Sequence, residues 1–428
     1  MMRPQATEGE GDFRGVRAEA GQDFWACVLL GAFCVQLYAV PGEWLPAFEP
    51  LRLALSLSLA ALGLLLLNHI GRRLPFRGDG VRGVALGAFT AWALLSRTWS
   101  VVPERTDEWL GMFLKVVVAW FLVVNLAATP KRLRGLCLAL IAGSLVTSVG
   151  TLQTYFSGEK LSQGFRGRWV GVFGDPNYLA NYLGMIVPVA LAFLAHRGTS
   201  KRVRLLCLTA LVLAISAIVL TFSRGGFLGL VAGLVVWSVR ERAQRGKALL
   251  LASALAAGVA IFAPATYWER NETVEDFQTD ASALGRVYAW HVASAMNADR
   301  PIRGVGGGAF RDAWPSYAPP EARKALVAHN IFLDTLGELG WVGFFLFLIF
   351  VGSATGAVFR AGEDPEMGWL ARGLGASVAG YLLCNCFAGS MVSAHLFVLL
   401  GLAGAVERLT EQAQPVPEPL PAPAAAWS

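Results

Sequence analysis

The chain has 428 residues, of which 55% are hydrophobic and only 15% charged, with a formal charge of +6. A soluble domain carries about 25% charged residues, so the apolar surplus excludes an ordinary water-soluble fold and requires lipid. The positive charge does not mark a nucleic-acid binder, because most arginines sit in short connectors between apolar blocks, where membrane topology accounts for them.

Residues 1–22 are polar and lack a small-residue cleavage site, which predicts a cytoplasmic leader and no excised signal peptide. Apolar blocks then predict transmembrane helices near 24–40, 51–70, 81–96, 109–127, 133–156, 177–195, 204–222, 225–239, 248–266, 330–359, 369–391 and 394–409. Connectors assigned to the N-terminal side carry Arg72, Arg73, Arg77 and Arg82, then Lys131, Arg132 and Arg134, then Arg197, Lys201, Arg202 and Arg204, then Arg240, Arg242, Arg245 and Lys247. The short connectors on the other side hold far fewer, so both termini are predicted to be cytoplasmic in a bacterial inner membrane. The expected fold class is an all-α polytopic membrane protein with about twelve transmembrane helices. Its expected parts are nine helices over 23–266, a periplasmic loop over 267–328, three helices over 329–409 and a Pro/Ala-rich disordered cytoplasmic tail over 410–428. The long loop contains the amphipathic stretch ALGRVYAWHVASAMNAD, a glycine-rich turn at Gly304 to Gly308 and a second short stretch from Phe310 to Tyr317. These predict two small helices over the outer mouth of the bundle. All six cysteines fall inside apolar blocks and read as small core residues.

Four polar features, far apart in sequence, land on the outer side. In RWVGVFGDPNYLAN, Asp175 reads as a helix N-cap with Pro176 at the first helical position, an arrangement that leaves free N–H groups and a positive dipole end facing outward. Such a start favours phosphate, although it also describes any capped helix. Arg168 precedes it, and Asn177 and Asn181 lie one turn apart on one polar face. In TFSRGGF, Arg224 is held near the hydrocarbon boundary, where an arginine faces a cavity, a partner charge or lipid headgroups. Arg286 and Trp290 share a face of the loop helix at i and i+4. In AHNIFLDTLGELGWVGF, His329 and Asn330 stand at a helix start, where the imidazole can take a proton near neutral pH or simply cap the helix.

No Walker-type loop, HExxH, Cys/His metal set or outer acidic pair is present in the sequence, so no metal or cofactor is expected. A transporter or flippase is the competing class. Against it, the halves show no repeat symmetry and the marked residues gather on one side instead of at the midplane; Lys115 is the one cation deep inside a predicted helix.

Arg168 with Gly171, Phe173, Pro176 and Asn177, the Ser-Arg-Gly-Gly turn at 223–226, GRVYAW leading to DRPIRGVGGGAF, and His-Asn followed by GELGWVG follow one another between residues 168 and 343. In this order and spacing the chain resembles the O-antigen ligase and polymerase superfamily of bacterial inner-membrane proteins. The resemblance implies transfer of a glycan from undecaprenyl diphosphate to an acceptor on the periplasmic face, without metal or nucleotide sugar and with inversion at the anomeric carbon. It implies that Arg168, Arg224 and Arg286 stabilise the diphosphate leaving group and that His329 takes the acceptor's proton. Asn177, Asn181, Asn330 and Trp290 would line the substrate site. A ligase acting on lipid A core is favoured over a polymerase acting on a second carrier-linked chain, on the look of the long loop ending in His-Asn; membrane lipid is the remaining partner.

Overall fold

A computed structural model of the protein describes residues 23–159, 161–241, 246, 281–322 and 324–413. The expected leader 1–22, the expected helix 248–266, the loop's first part at 267–280 and most of the expected tail, 414–428, lie outside the described residues.

The described residues are helical throughout, with only one isolated bridge, between Ser162 and Arg166, outside helices and turns. Helices α1 (Phe24–Ala39), α2 (Leu53–Arg72), α3 (Gly80–Ser96), α4 (Pro103–Leu126), α5 (Pro130–Ser157), α6 (Pro176–Ala195), α7 (Lys201–Leu220) and α8 (Arg224–Arg240) follow one another through short connectors. After the undescribed stretch come α9 (Ala281–Asp299), α10 (Ile331–Ala361), α11 (Gly368–Cys384) and α12 (Ala394–Ala413). Among the described residues six helices, against the twelve or so expected, are long and apolar enough to cross a membrane: Pro46–Arg72, which counts the 3₁₀ turn before α2, together with α4, α5, α6, α7 and α10. Large apolar side chains such as Leu67, Val84, Leu205 and Val212 face outward, as lipid contact allows and water would penalise.

Packing follows small residues. In α8, Gly229 and Gly233 meet Gly380 of α11 so closely that a Cβ at Gly229 would stand 2.7 Å from the Gly380 carbonyl oxygen. Without a hydrophobic drive between helices in lipid, such close backbone approach is what holds them together.

Two ends can be told apart. At one, Arg82 pairs with Asp79 (2.8 Å) and Glu407 (2.6 Å), Arg360 with Glu407 (2.7 Å) and Arg408 with Asp79 (3.3 Å), tying α3, α10 and α12 together. At the other, the end of α5 and the starts of α6, α8 and α10 converge.

Two expected spans differ in detail. The helix placed at 330–359 is broken at Gly340 (φ 65°, ψ −168°), and the one placed at 369–391 stops at Cys384. The first break has a clear cause. The loop after α9 docks its backbone onto the broken turn: Val305 N–H donates to Gly337 O (3.0 Å), Gly306 N–H to Glu338 O (2.8 Å) and Trp341 N–H to Pro301 O (2.7 Å). The buried Glu338 carboxylate accepts from Gly308 N–H (2.8 Å) and Phe310 N–H (3.2 Å), closing a clasp between loop and helix. The second helix ends early because Asn385 turns its carbonyl to Ile331 N–H (3.1 Å), seating the start of α10 against the end of α11. Lys115 is exposed on α4 and lines an outer groove with Gln36, Glu43, Glu49 and Arg52.

The φ of Gly340 lies in the left-handed region, and a Cβ there would press on the main chain at Ile302. Gly340→Ala is therefore expected to destabilise the protein by roughly 1–3 kcal/mol. Thermal unfolding in detergent should show a lowered midpoint and earlier proteolysis of the 300–310 loop; an unchanged midpoint would mean that the clasp does not depend on the break.

Candidate functional site

The connector 158–175 folds into a short turn in which Ser162 N–H donates to Arg166 O and Arg166 N–H to Ser162 O, both at 2.9 Å. This directs the Arg166 side chain into the protein, where it is buried at 4% exposure. Its Nε donates to Thr221 O (2.8 Å) and its Nη2 to Asn177 Oδ1 (2.9 Å). Ser223 Oγ donates to the same Asn177 oxygen (2.9 Å) while capping α8 through Gly226 N–H. One guanidinium thus joins the connector, the start of α6 and the α7–α8 turn. Asp175 caps α6 as the sequence predicts, accepting from Asn177 N–H at 2.7 Å.

Above this network lies a cleft of about 420 Å³ lined by Ser162, Gln163, Arg166, Gly174, Asp175, Pro176, Asn177, Gly285, Arg286, Lys324, Leu326 and His329. Arg286 reaches it from α9, whose contact with α10 and the clasp beyond it hold that helix over the bundle. His329 reaches it from the turn before α10. Its backbone adopts φ 51°, a left-handed conformation that costs a non-glycine residue about 1–2 kcal/mol and is kept only where the surroundings enforce it. Gln163 (φ 54°) and Phe222 (φ 47°) share that conformation, the first in the cleft wall and the second beside Thr221.

Burial pushes the His329 pKa below its ordinary value of 6.5, the Arg286 charge pushes it further down, and the Asp175 carboxylate opposes both. The imidazole is therefore neutral at pH 7, with a ring nitrogen able to accept a proton, and Asp175 is placed to steady the cation that results. Three basic groups, Arg166, Arg286 and Lys324, face one carboxylate across the cleft, so the space favours an anion.

Of the residues singled out by sequence, Asn177, Arg286 and His329 meet here. Arg224 opens α8, one residue beyond the Ser223 that bonds Asn177, and stands beside the cleft without lining it. Arg168 does not line the cleft; its carbonyl accepts from Thr154 Oγ1 (2.6 Å), so its main chain packs on α5. Asn181 sits one turn below Asn177, 2% exposed, and its amide makes no hydrogen bond among the described residues. Asn330 caps α10, accepting from Phe332 N–H (3.0 Å) and Leu333 N–H (3.2 Å), which occupies its side-chain oxygen structurally. Trp290 packs toward Phe387 with ring centres 6.4 Å apart, and its indole N–H makes no hydrogen bond among the described residues. Sequence reasoning passed over Arg166 and Lys324. The RGR pattern contained the first, but only the turn geometry decides which of its two arginines points inward. Among the described residues no three His, Cys, Asp or Glu side chains gather as a metal site would need.

Comparison with known proteins adds one finding. Residues 209–348 match the family model described as O-antigen ligase. The match spans the α7–α8 turn, α9, the clasp and the start of α10. It supports the O-antigen ligase superfamily and a ligase or polymerase type of activity in a membrane protein, and it takes in Arg224, Arg286 and His329 while leaving Arg166 and Asn177 outside. No curated protein matches the chain.

The sign of the His329 shift can be measured. A folded pKa below 6.5 means that protonation is disfavoured in the fold, so stability present above that value is lost as pH falls through the lowered pKa. NMR titration of labelled histidine should place His329 below 6.5; Arg286→Gln should raise its midpoint and Asp175→Asn should lower it further. A midpoint above 6.5 in the unaltered protein would contradict this placement of charges.

Proposed function

We propose that the cleft transfers a glycan from undecaprenyl diphosphate to an acceptor hydroxyl on the periplasmic face of a bacterial inner membrane, with lipid A core as the acceptor. The observation that carries this reading is one neutral imidazole facing a cluster of cations at the end of an apolar bundle, with His329, Arg286 and Lys324 inside the segment matched by the O-antigen ligase family and Arg166 outside it.

The chemistry follows from the groups present. The polyprenyl chain stays in lipid beside the apolar helix faces while its diphosphate enters the cleft. His329 takes the proton of the acceptor hydroxyl. The acceptor oxygen forms its bond to the anomeric carbon as the bond from that carbon to the diphosphate oxygen breaks, so approach from the opposite face inverts the centre. Charge grows on the leaving diphosphate, and Arg166, Arg286 and Lys324, with Arg224 beside them, stabilise it without a metal ion. We give Arg166 the position that the sequence had assigned to Arg168, because the buried guanidinium is already fixed by Thr221 and Asn177 and need not reorganise during the reaction. Asn177 positions Arg166, and Asp175 steadies protonated His329. Asn181, one turn from Asn177, and Trp290, one turn from Arg286, each carry a polar group that has no hydrogen-bond partner among the described residues and are proposed to contact substrate.

The membrane orientation completes the reading. The cleft is assigned to the periplasm because the opposite end carries the dense Lys/Arg connectors, with the described termini on that same side.

Purified protein supplied with a carrier-linked glycan and lipid A core should form the joined product. His329→Ala and Arg166→Ala are each expected to lower the rate by roughly 10²–10⁴-fold. Arg168→Ala should lower it less than tenfold, consistent with a side chain outside the charged cleft. In cells, loss of His329 should leave long glycan on the carrier and none on lipid A. Accumulation of single repeat units on the carrier would assign a polymerase instead, and substrate stranded on the cytoplasmic face would assign transport. An Arg166→Ala enzyme with unchanged rate would remove this arginine from the site.

A further inference from the structure

The end of the bundle opposite the cleft contains a second pocket, of about 480 Å³, that the glycan reading does not use. The two are separated by the whole of α5: Thr129 and Arg132 stand at its start, and the cleft connector follows its end. A helix of 28 residues is about 42 Å long, so the pockets lie at the two faces of a bilayer. We propose that this pocket binds the phosphate of an anionic phospholipid, held by Arg77 and Arg132 beside His69.

Its geometry is built and not incidental. Arg77 is fixed through its main chain, its N–H donating to Asn125 Oδ1 of α4 at 2.8 Å. The Arg77 Nη1 is nonetheless buried without a hydrogen bond among the described residues. His69, buried at 9% exposure, turns Nε2 to Asp23 (3.2 Å) and stacks on Phe76 with ring centres 4.8 Å apart. Its Nδ1 also makes no hydrogen bond among the described residues. The single carboxylate in the lining, Asp23, is engaged by His69 and by Asn68 Nδ2 at 2.9 Å. With Arg77 and Arg132 set against Asp23 alone, the guanidinium groups outnumber the carboxylates among the described lining residues. Thr129 caps α5 by accepting from Arg132 N–H (3.3 Å), so the positive end of that helix adds to the field. A buried polar atom lacking a partner at a cationic site is accounted for by an anion that supplies acceptors.

A lipid, in preference to a free anion, follows from the walls. Phe24 and Trp25, beside Asp23, and Leu67 and Ile70, beside His69, are 54%, 69%, 72% and 68% exposed. Acyl chains can lie along these faces of α1 and α2 while the phosphate occupies the pocket, as basic pockets between transmembrane helices hold anionic headgroups. This inference does not depend on the reaction assigned to the cleft, so either can fail without the other.

The test uses the purified full-length protein in zwitterionic detergent, with thermal stability followed as lipid is added. Phosphatidylglycerol should raise the unfolding midpoint saturably, because a ligand that binds only the folded state stabilises it. Arg77→Gln combined with Arg132→Gln should weaken the apparent affinity by about 20-fold or more, at roughly fivefold for each guanidinium lost. The charge-preserving Arg77→Lys, Arg132→Lys protein should retain most of the response, which separates loss of the site from loss of the fold. Equal stabilisation by phosphatidylcholine would overturn the proposal, as would an undiminished phosphatidylglycerol response in the Gln double variant. Inorganic phosphate reproducing the full shift would overturn the lipid assignment in favour of a free anion.

Discussion

A guanidinium buried at the rim of an apolar bundle has to be satisfied, and Arg166 imposes that condition on everything around it. Leaving such a charge without partners costs several kcal/mol, so the carbonyl of Thr221 and the amide of Asn177 are requirements of the fold. Meeting them brings together three segments that lie apart in the chain: the 162–166 turn, the capped start of α6 and the turn between α7 and α8. Ser223 adds a third hydrogen bond by sharing the Asn177 oxygen. The floor of the cleft is thus a by-product of solvating one charge with protein groups.

The upper wall has a different origin. The glycine-rich loop after α9 buries Val305 and Phe310 and docks by main-chain hydrogen bonds onto the place where α10 is broken. Glu338 converts two otherwise unbonded N–H groups into a joint. This joint sets where α9 lies and therefore where Arg286 enters the cleft. His329 stands just before the first turn of α10, so clasp and imidazole are two ends of one piece about three turns long. The motifs GVGGGAF and GELGWVG are, in this light, structural parts that position chemistry supplied by neighbouring residues.

Much of the helical layout was legible because apolar runs of membrane length leave few alternatives. Eleven of the expected segments are helices in the described residues, six of them meeting both length and apolarity for a span, and Asp175, Asn330 and Ser223 cap as local sequence dictates. The break at Gly340 was not legible, since a glycine inside an apolar run signals nothing until its docking partner is known. Nor was the early end of α11, which answers to Ile331 from a distant segment. Arg166 was not legible as a cleft residue: Arg168 lies nearer the recognisable Pro-Asn helix start, but the turn at 162–166 directs Arg166 inward, and turn geometry has no periodicity to read. Arg286, Asn177 and His329 line one cleft because chain topology places them at one end.

The account rests on where the diphosphate sits, and that can be observed directly. A photoreactive polyprenyl-diphosphate glycan, cross-linked to the purified protein in nanodiscs and mapped by peptide mass spectrometry, should label segments 162–177, 285–286 and 324–329. Labelling confined to the other end of the bundle, around residues 69–77 and 125–132, would contradict the placement of the reaction in this cleft.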